Sequence, residues 1–96
     1  MPTTQFTLAG ANFRPAEAKQ AIKEAEIGDT VELEADPENP YDPNAVKVIL
    51  EGEFVGFVPK TDNAPLAAAL ADGATIEGEI IAFESTLKPV IEVTLD

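Results

Sequence analysis

The stretch Ala45-Val46-Lys47-Val48-Ile49-Leu50-Glu51-Gly52-Glu53-Phe54-Val55-Gly56-Phe57-Val58 decides the fold class. Its first half alternates. Val46, Val48 and Leu50 point to one face, and Ala45 and Lys47 to the other, which is the period of a half-buried strand. Glu51-Gly52 leaves two residues for the connection, so the chain returns antiparallel as a hairpin over residues 53–58. Simple alternation then puts Phe54 and Val58 on the inner face and Phe57 with Val55 on the opposite one.

Working outward, residues 30–35 also alternate. Val31, Leu33 and Ala35 face inward, and Thr30, Glu32 and Glu34 face water. The nine residues Asp36-Pro37-Glu38-Asn39-Pro40-Tyr41-Asp42-Pro43-Asn44 join this strand to the hairpin. Their three prolines exclude helix and central strand. Upstream, residues 5–9 begin a strand on Phe6 and Leu8, and Gly10 opens a loop to Pro15. Residues 16–25 read as a helix that buries Ala18, Ala21, Ile22 and Ala25; Gly28-Asp29 closes it. Downstream, Thr61-Asp62-Asn63 offers helix caps and Pro65 suits a first turn. The helix continues over 66–71 and stops at Gly73. Residues 75–83 and 89–95 are the last strands, joined by 84–88. The order is β-α-β-β-β-α-β-β. It implies a mainly β, α+β domain over 1–96: a small six-stranded antiparallel OB-like barrel with the helices at its ends.

Composition bounds the chemistry. The chain has 96 residues, 18 acids, 6 bases and a net charge of −12. A surface of that sign repels nucleic acid at long range and leaves room only for a local site. There is no Cys and no His, so thiolate chemistry and the commonest general base are both missing. No apolar run approaches the ~20 residues of a membrane span. Met1-Pro2-Thr3-Thr4-Gln5 lacks the features of a signal peptide, so the expected location is cytoplasmic. Asp36, Glu38, Asp42 and Asn44 are hard oxygen ligands, but they lack the spacing of a calcium loop and the prolines oppose wrapping an ion. No metal or other cofactor is expected. No nucleophile–base pair or phosphate loop is present either, so no enzyme activity is expected.

The proline-rich connector is the densest polar cluster and carries the only Tyr. Its restricted backbone presents Tyr41 and Asp42 with little ordering entropy left to lose. Two readings are open for it. It is a receptor with a ring and a carboxylate turned outward, or a packed turn in which Asn39 and Asp42 bond the loop's own backbone. Asn44 reads as a structural residue whose side chain fixes the loop. A ring tucked inside and a carboxylate engaged by neighbouring amides would leave only a scaffold.

The run Asn39-Pro40-Tyr41-Asp42-Pro43-Asn44-Ala45-Val46-Lys47-Val48 resembles the hallmark segment of the HIRAN domain. Gly28-Asp29-Thr30-Val31-Glu32-Leu33 and Val55-Gly56-Phe57-Val58-Pro59-Lys60 are similar to two further family segments, and the likeness spans residues 6–82. The resemblance implies an OB-like barrel and a module, found in some fork-remodelling helicases and as free-standing bacterial proteins, that captures a single-stranded DNA end with a 3′-hydroxyl. By the same resemblance Tyr41 would stack on a terminal base and Asp42 would accept the 3′-hydroxyl. Phe13 would form a second aromatic wall, and Lys60 would reach a phosphate. DNA-binding members carry an Arg after the first-strand Gly. Here Asn12 holds that position, with Arg14 two residues on, and Phe57 takes the aromatic rather than the His option that the family has after this Gly. Weak, salt-sensitive binding is therefore expected. The leading expectation is a non-catalytic DNA-end module in repair or processing, with a helicase or nuclease partner. The alternative is an acidic protein-interaction adaptor on the same fold; a DNA mimic rests on charge alone.

Overall fold

In the computed structural model, which describes residues 3–95, the expected elements occur in the expected order. They are β1 (Thr3–Thr7), α1 (Ala16–Glu24), β2 (Thr30–Ala35), β3 (Val46–Leu50), β4 (Glu53–Phe57), α2 (Asn63–Ala71), β5 (Glu77–Ser85) and β6 (Lys88–Thr94). A 3-10 turn over Ala11–Phe13 precedes α1. The strands form one antiparallel sheet in the order β1-β6-β5-β2-β3-β4. Beyond β1 the chain reaches the far edge. Ala9 N–H donates to Phe57 O at 2.9 Å, and Phe57 N–H donates to Ala9 O at 2.8 Å. These two bonds curl the sheet into an OB-like half-barrel.

Alternation fills its interior. Phe6 and Leu8, then Val31 and Leu33, Val46, Val48 and Leu50, and finally Ile80, Ile91 and Val93 are all buried. Ala18 and Ile22, one helical turn apart, seal α1 against β4. Leu66 does the same for α2, which packs on β2 and β3. The β3–β4 connection is the expected two-residue turn. Glu51 and Gly52 have φ of 52° and 78°, the left-handed pair of a type I′ hairpin.

Simple alternation fails in β4. The register slips between Val48 and Ile49: Val48 faces Gly56, and Ile49 faces Phe54, so Val55 is an extra, bulged residue. The bulge reverses the parity of everything before it. Val55 and Val58 are both buried, and Phe54 and Phe57 share the outer side, where their rings meet edge to face at 5.1 Å. Phe54 is therefore not a core residue, and it does not alternate with Val58. Two similar slips bend β5, between Ile80 and Ala82 and between Phe83 and Ser85.

The barrel seam depends on a missing side chain. A Cβ on Gly56 would lie 2.6 Å from Ala9 O and 2.9 Å from Leu8 Cδ1. The first of these is backbone and cannot give way without opening the seam. Gly56→Ala is expected to destabilise the domain by about 1–3 kcal/mol, read as a lower midpoint in denaturant with an unchanged slope.

Charge opposes the sheet elsewhere. Glu32 lies directly across from Glu77, and Glu79 across from Glu92. Like charges in directly opposed positions destabilise a sheet. Gln5 relieves one of them: its Nε2 donates to Glu92 Oε2 at 2.8 Å. Glu79→Gln is expected to raise stability by about 0.2–1 kcal/mol, with the gain shrinking in high salt.

Candidate functional site

The connector between β2 and β3 builds its own shape. Asp36 N–H donates to Ala45 O at 2.9 Å and closes the base of the loop. Inside it, Asn39 is the organiser. Its Oδ1 accepts the amides of Tyr41 at 2.9 Å and Asp42 at 3.1 Å, and its Nδ2 donates to Asp36 Oδ2 at 3.1 Å. This is an Asx turn with a second anchor. The side chain that fixes the loop is thus Asn39. Asn44, expected in that role, contributes its backbone amide and leaves its side chain exposed.

Tyr41 is displayed by this frame, with its residue 87% exposed. Asp42 is held on both oxygens. Oδ1 accepts the Asn44 amide at 2.9 Å, and Oδ2 accepts Asn63 Nδ2 at 2.9 Å. The carboxylate is therefore engaged by neighbouring amides, as the packed-turn reading required, while the ring stands outward, as the receptor reading required. Each oxygen has a further lone pair, so an engaged carboxylate can still accept a hydroxyl. The Asn44 amide and then the Asn63 amide hold Asp42 below the usual carboxylate range; partial desolvation opposes them, and the charge of Lys60 adds the smallest, lowering, contribution.

Asn63 is the residue that sequence reasoning missed. It read as a helix cap, but Asp62 occupies the cap position and makes no side-chain capping bond. Asn63 is the first residue of α2 and the buried polar side chain of the core, 3% exposed. Its reach across to Asp42 couples α2 to the loop. A sequence separation of 21 gives no local signal for such a pair.

Beside the loop lies an open cavity of about 240 Å³. Tyr41, Asp42, Phe57 and Lys60 line it, with Gly10 and Asn63 completing the wall. It is smaller than the ~300–1,000 Å³ typical of small-molecule sites. Four of the six expected site residues thus meet in one place. Asn12 and Phe13 do not line it. The left-handed Gly10, at φ 77°, starts the 3-10 turn, which buries Ala11 and leaves Phe13 88% exposed in solvent. Among the described residues, no group of three His, Cys, Asp or Glu side chains is placed to hold a metal. Nor is any helix long and apolar enough to cross a membrane.

A family profile described as HIRAN domain matches residues 1–94. The chain belongs to the HIRAN domain family. Three solved structures share its fold. A Lactobacillus plantarum protein is 17% identical with a TM-score of 0.81, covering 96% of this chain and 95% of its own. The HIRAN domain of human HLTF is 24% identical with a TM-score of 0.77, over 95% of this chain and 72% of that one. The HLTF HIRAN domain in its DNA-bound conformation is 25% identical with a TM-score of 0.66, over 96% and 72%. No curated protein matches the chain significantly.

The Asp42–Asn63 bond gives this HIRAN domain a pH-dependent clasp. Because the folded-state value of Asp42 is depressed, its contribution is complete above the ordinary carboxylate range and is lost as pH falls through the depressed value. Asn63→Ala is expected to lower the melting temperature at neutral pH and to move the Asp42 titration, followed by carboxyl carbon NMR, back toward the ordinary range. The stability difference from the parent should shrink on acidification.

Proposed function

We propose that this HIRAN domain is a non-catalytic module that captures the end of a single-stranded DNA carrying a 3′-hydroxyl. One observation carries the reading: an outward tyrosine ring, fixed by a proline-stiffened Asx turn, at a cavity shared by an acceptor, Asp42, and a cation, Lys60. The likeness to the HLTF domain in its DNA-bound conformation supports it. A base stacks on Tyr41, with Phe57 as the inner aromatic wall; Phe13, outside the cavity, is left for a neighbouring base. The free lone pairs of Asp42 accept the terminal hydroxyl. Lys60 meets the adjoining phosphate, and Asn12 donates to another. A carboxylate in that place also rejects a terminal phosphate, so the site distinguishes ends from interiors. Such a module serves DNA repair or processing by holding a strand end for a helicase or nuclease partner.

The acidic sheet face favours a second reading. The opposed pairs Glu32–Glu77 and Glu79–Glu92 lie on β2, β5 and β6 and make a surface for a basic protein. An adaptor of that kind needs no DNA.

Fluorescence anisotropy at low salt with short oligonucleotides separates the two. The 3′-hydroxyl strand is expected to bind and the 3′-phosphate strand to bind much more weakly. Tyr41→Ala should lose about 1–3 kcal/mol of affinity, the value of one stacked base. Asp42→Asn, which keeps an acceptor for Asn44, should narrow the gap between the two ends. Absence of any binding at low salt sinks the DNA reading and leaves the adaptor. Equal affinity for both ends removes the role given to Asp42.

A further inference from the structure

Three of the six cations, Arg14, Lys47 and Lys60, belong to one side of the β3–β4 hairpin or its flanks. Lys60 lines the cavity. The other two share a different aromatic group. The Arg14 guanidinium carbon lies 3.8 Å from the centroid of the Phe54 ring, and Lys47 Nζ lies 5.1 Å from it. Arg14 Nε donates to Phe54 O at 2.9 Å, which fixes the guanidinium through a neutral carbonyl. Lys47 has Glu34 as its cross-strand neighbour, and Glu53 precedes Phe54, so the patch is bordered by acids rather than free of them.

Two features make this arrangement more than a packed corner. First, two cations converge on one ring, which makes this a locally positive spot that favours an anion beside it. Second, the patch is continuous with the cavity. Phe57 lines the cavity on one side and meets the Phe54 ring at 5.1 Å and 89° on the other. Cations held on an aromatic ring beside a stacking site can follow a single strand without reading its sequence.

We propose that Arg14, Lys47 and Phe54 form a second subsite, which takes the phosphodiester backbone of the strand whose end lies in the cavity. The proposal rests on the end-capture reading and extends it: the cavity holds the end, and the Phe54 platform holds the strand behind it.

The test uses a dinucleotide and a ten-nucleotide oligothymidylate, both with 3′-hydroxyl ends. The longer strand is titrated by anisotropy over a salt series. The shorter is titrated by NMR chemical shifts at millimolar concentration. Arg14→Met and Lys47→Met keep the apolar stems and remove the charges. Each is expected to weaken the ten-nucleotide strand about fivefold to tenfold at 50 mM salt and to flatten the slope of log K against log salt by about 0.7, the value of one single-strand phosphate contact. Dinucleotide affinity should stay within about twofold, because its single phosphodiester is the one taken by Lys60 and none is left for the platform. Lys47→Met keeps the test intact if loss of the Arg14–Phe54 bond unfolds the other variant, which a melting curve reveals. If both lengths weaken alike, or neither weakens, the subsite is wrong while end capture stands. If neither strand binds the parent domain, end capture fails and the subsite falls with it.

Discussion

The seam between Ala9 and Phe57 is the constraint on which the rest depends. Two backbone hydrogen bonds draw the far edges of a six-stranded sheet together, and only the bare backbone of Gly56 lets them approach so closely. Closing the seam brings Gly10, at the end of the first strand, against Phe57, at the end of the fourth. The same closure puts the 3-10 turn, and with it Arg14, against the outer side of β4. Cavity and cation platform are thus both products of one backbone contact, made between the two opposite edges of the sheet.

Much of this was legible in the sequence because it is local. Alternation at Val31–Leu33 and Val46–Val48–Leu50, the two-residue turn at Glu51–Gly52 and the prolines of the connector each act over a few residues, and each has its expected form. The segment from Asn39 to Val48 pointed to the family, and the profile match over residues 1–94 shows it. What escaped is what alternation and spacing do not encode. A single bulged residue, Val55, turned itself into the core and moved Phe54 to the outer side beside Phe57. Asn63 looked like a cap because helix starts favour such residues, and nothing near it in the chain announces Asp42 as its partner. Asn39 and Asp42 bond the loop's own backbone as the packed-turn reading has it, whereas the Asn44 side chain takes no part and only its amide is held.

Net charge and local charge tell different stories here. The excess of acids is displayed most clearly where β2, β5 and β6 oppose glutamate to glutamate. The cations of the β3–β4 side sit on or beside aromatic rings and not in that ladder. A molecule can repel polyanions as a whole and still hold one in a particular orientation, since the repulsive face also discourages every wrong approach. The acidic surface then acts on selectivity and rate as much as on affinity.

The connector from residue 36 to residue 45 has one more consequence. Its base is closed by its own backbone, and its interior by Asp36, Asn39 and Asp42. Among the described residues, the Asn63 amide is the one side chain outside it that hydrogen-bonds to it. The loop is therefore a nearly self-contained cassette whose shape travels with its few residues. Evolution can rewrite the scaffold beneath such a cassette, as long as one donor remains to clasp it.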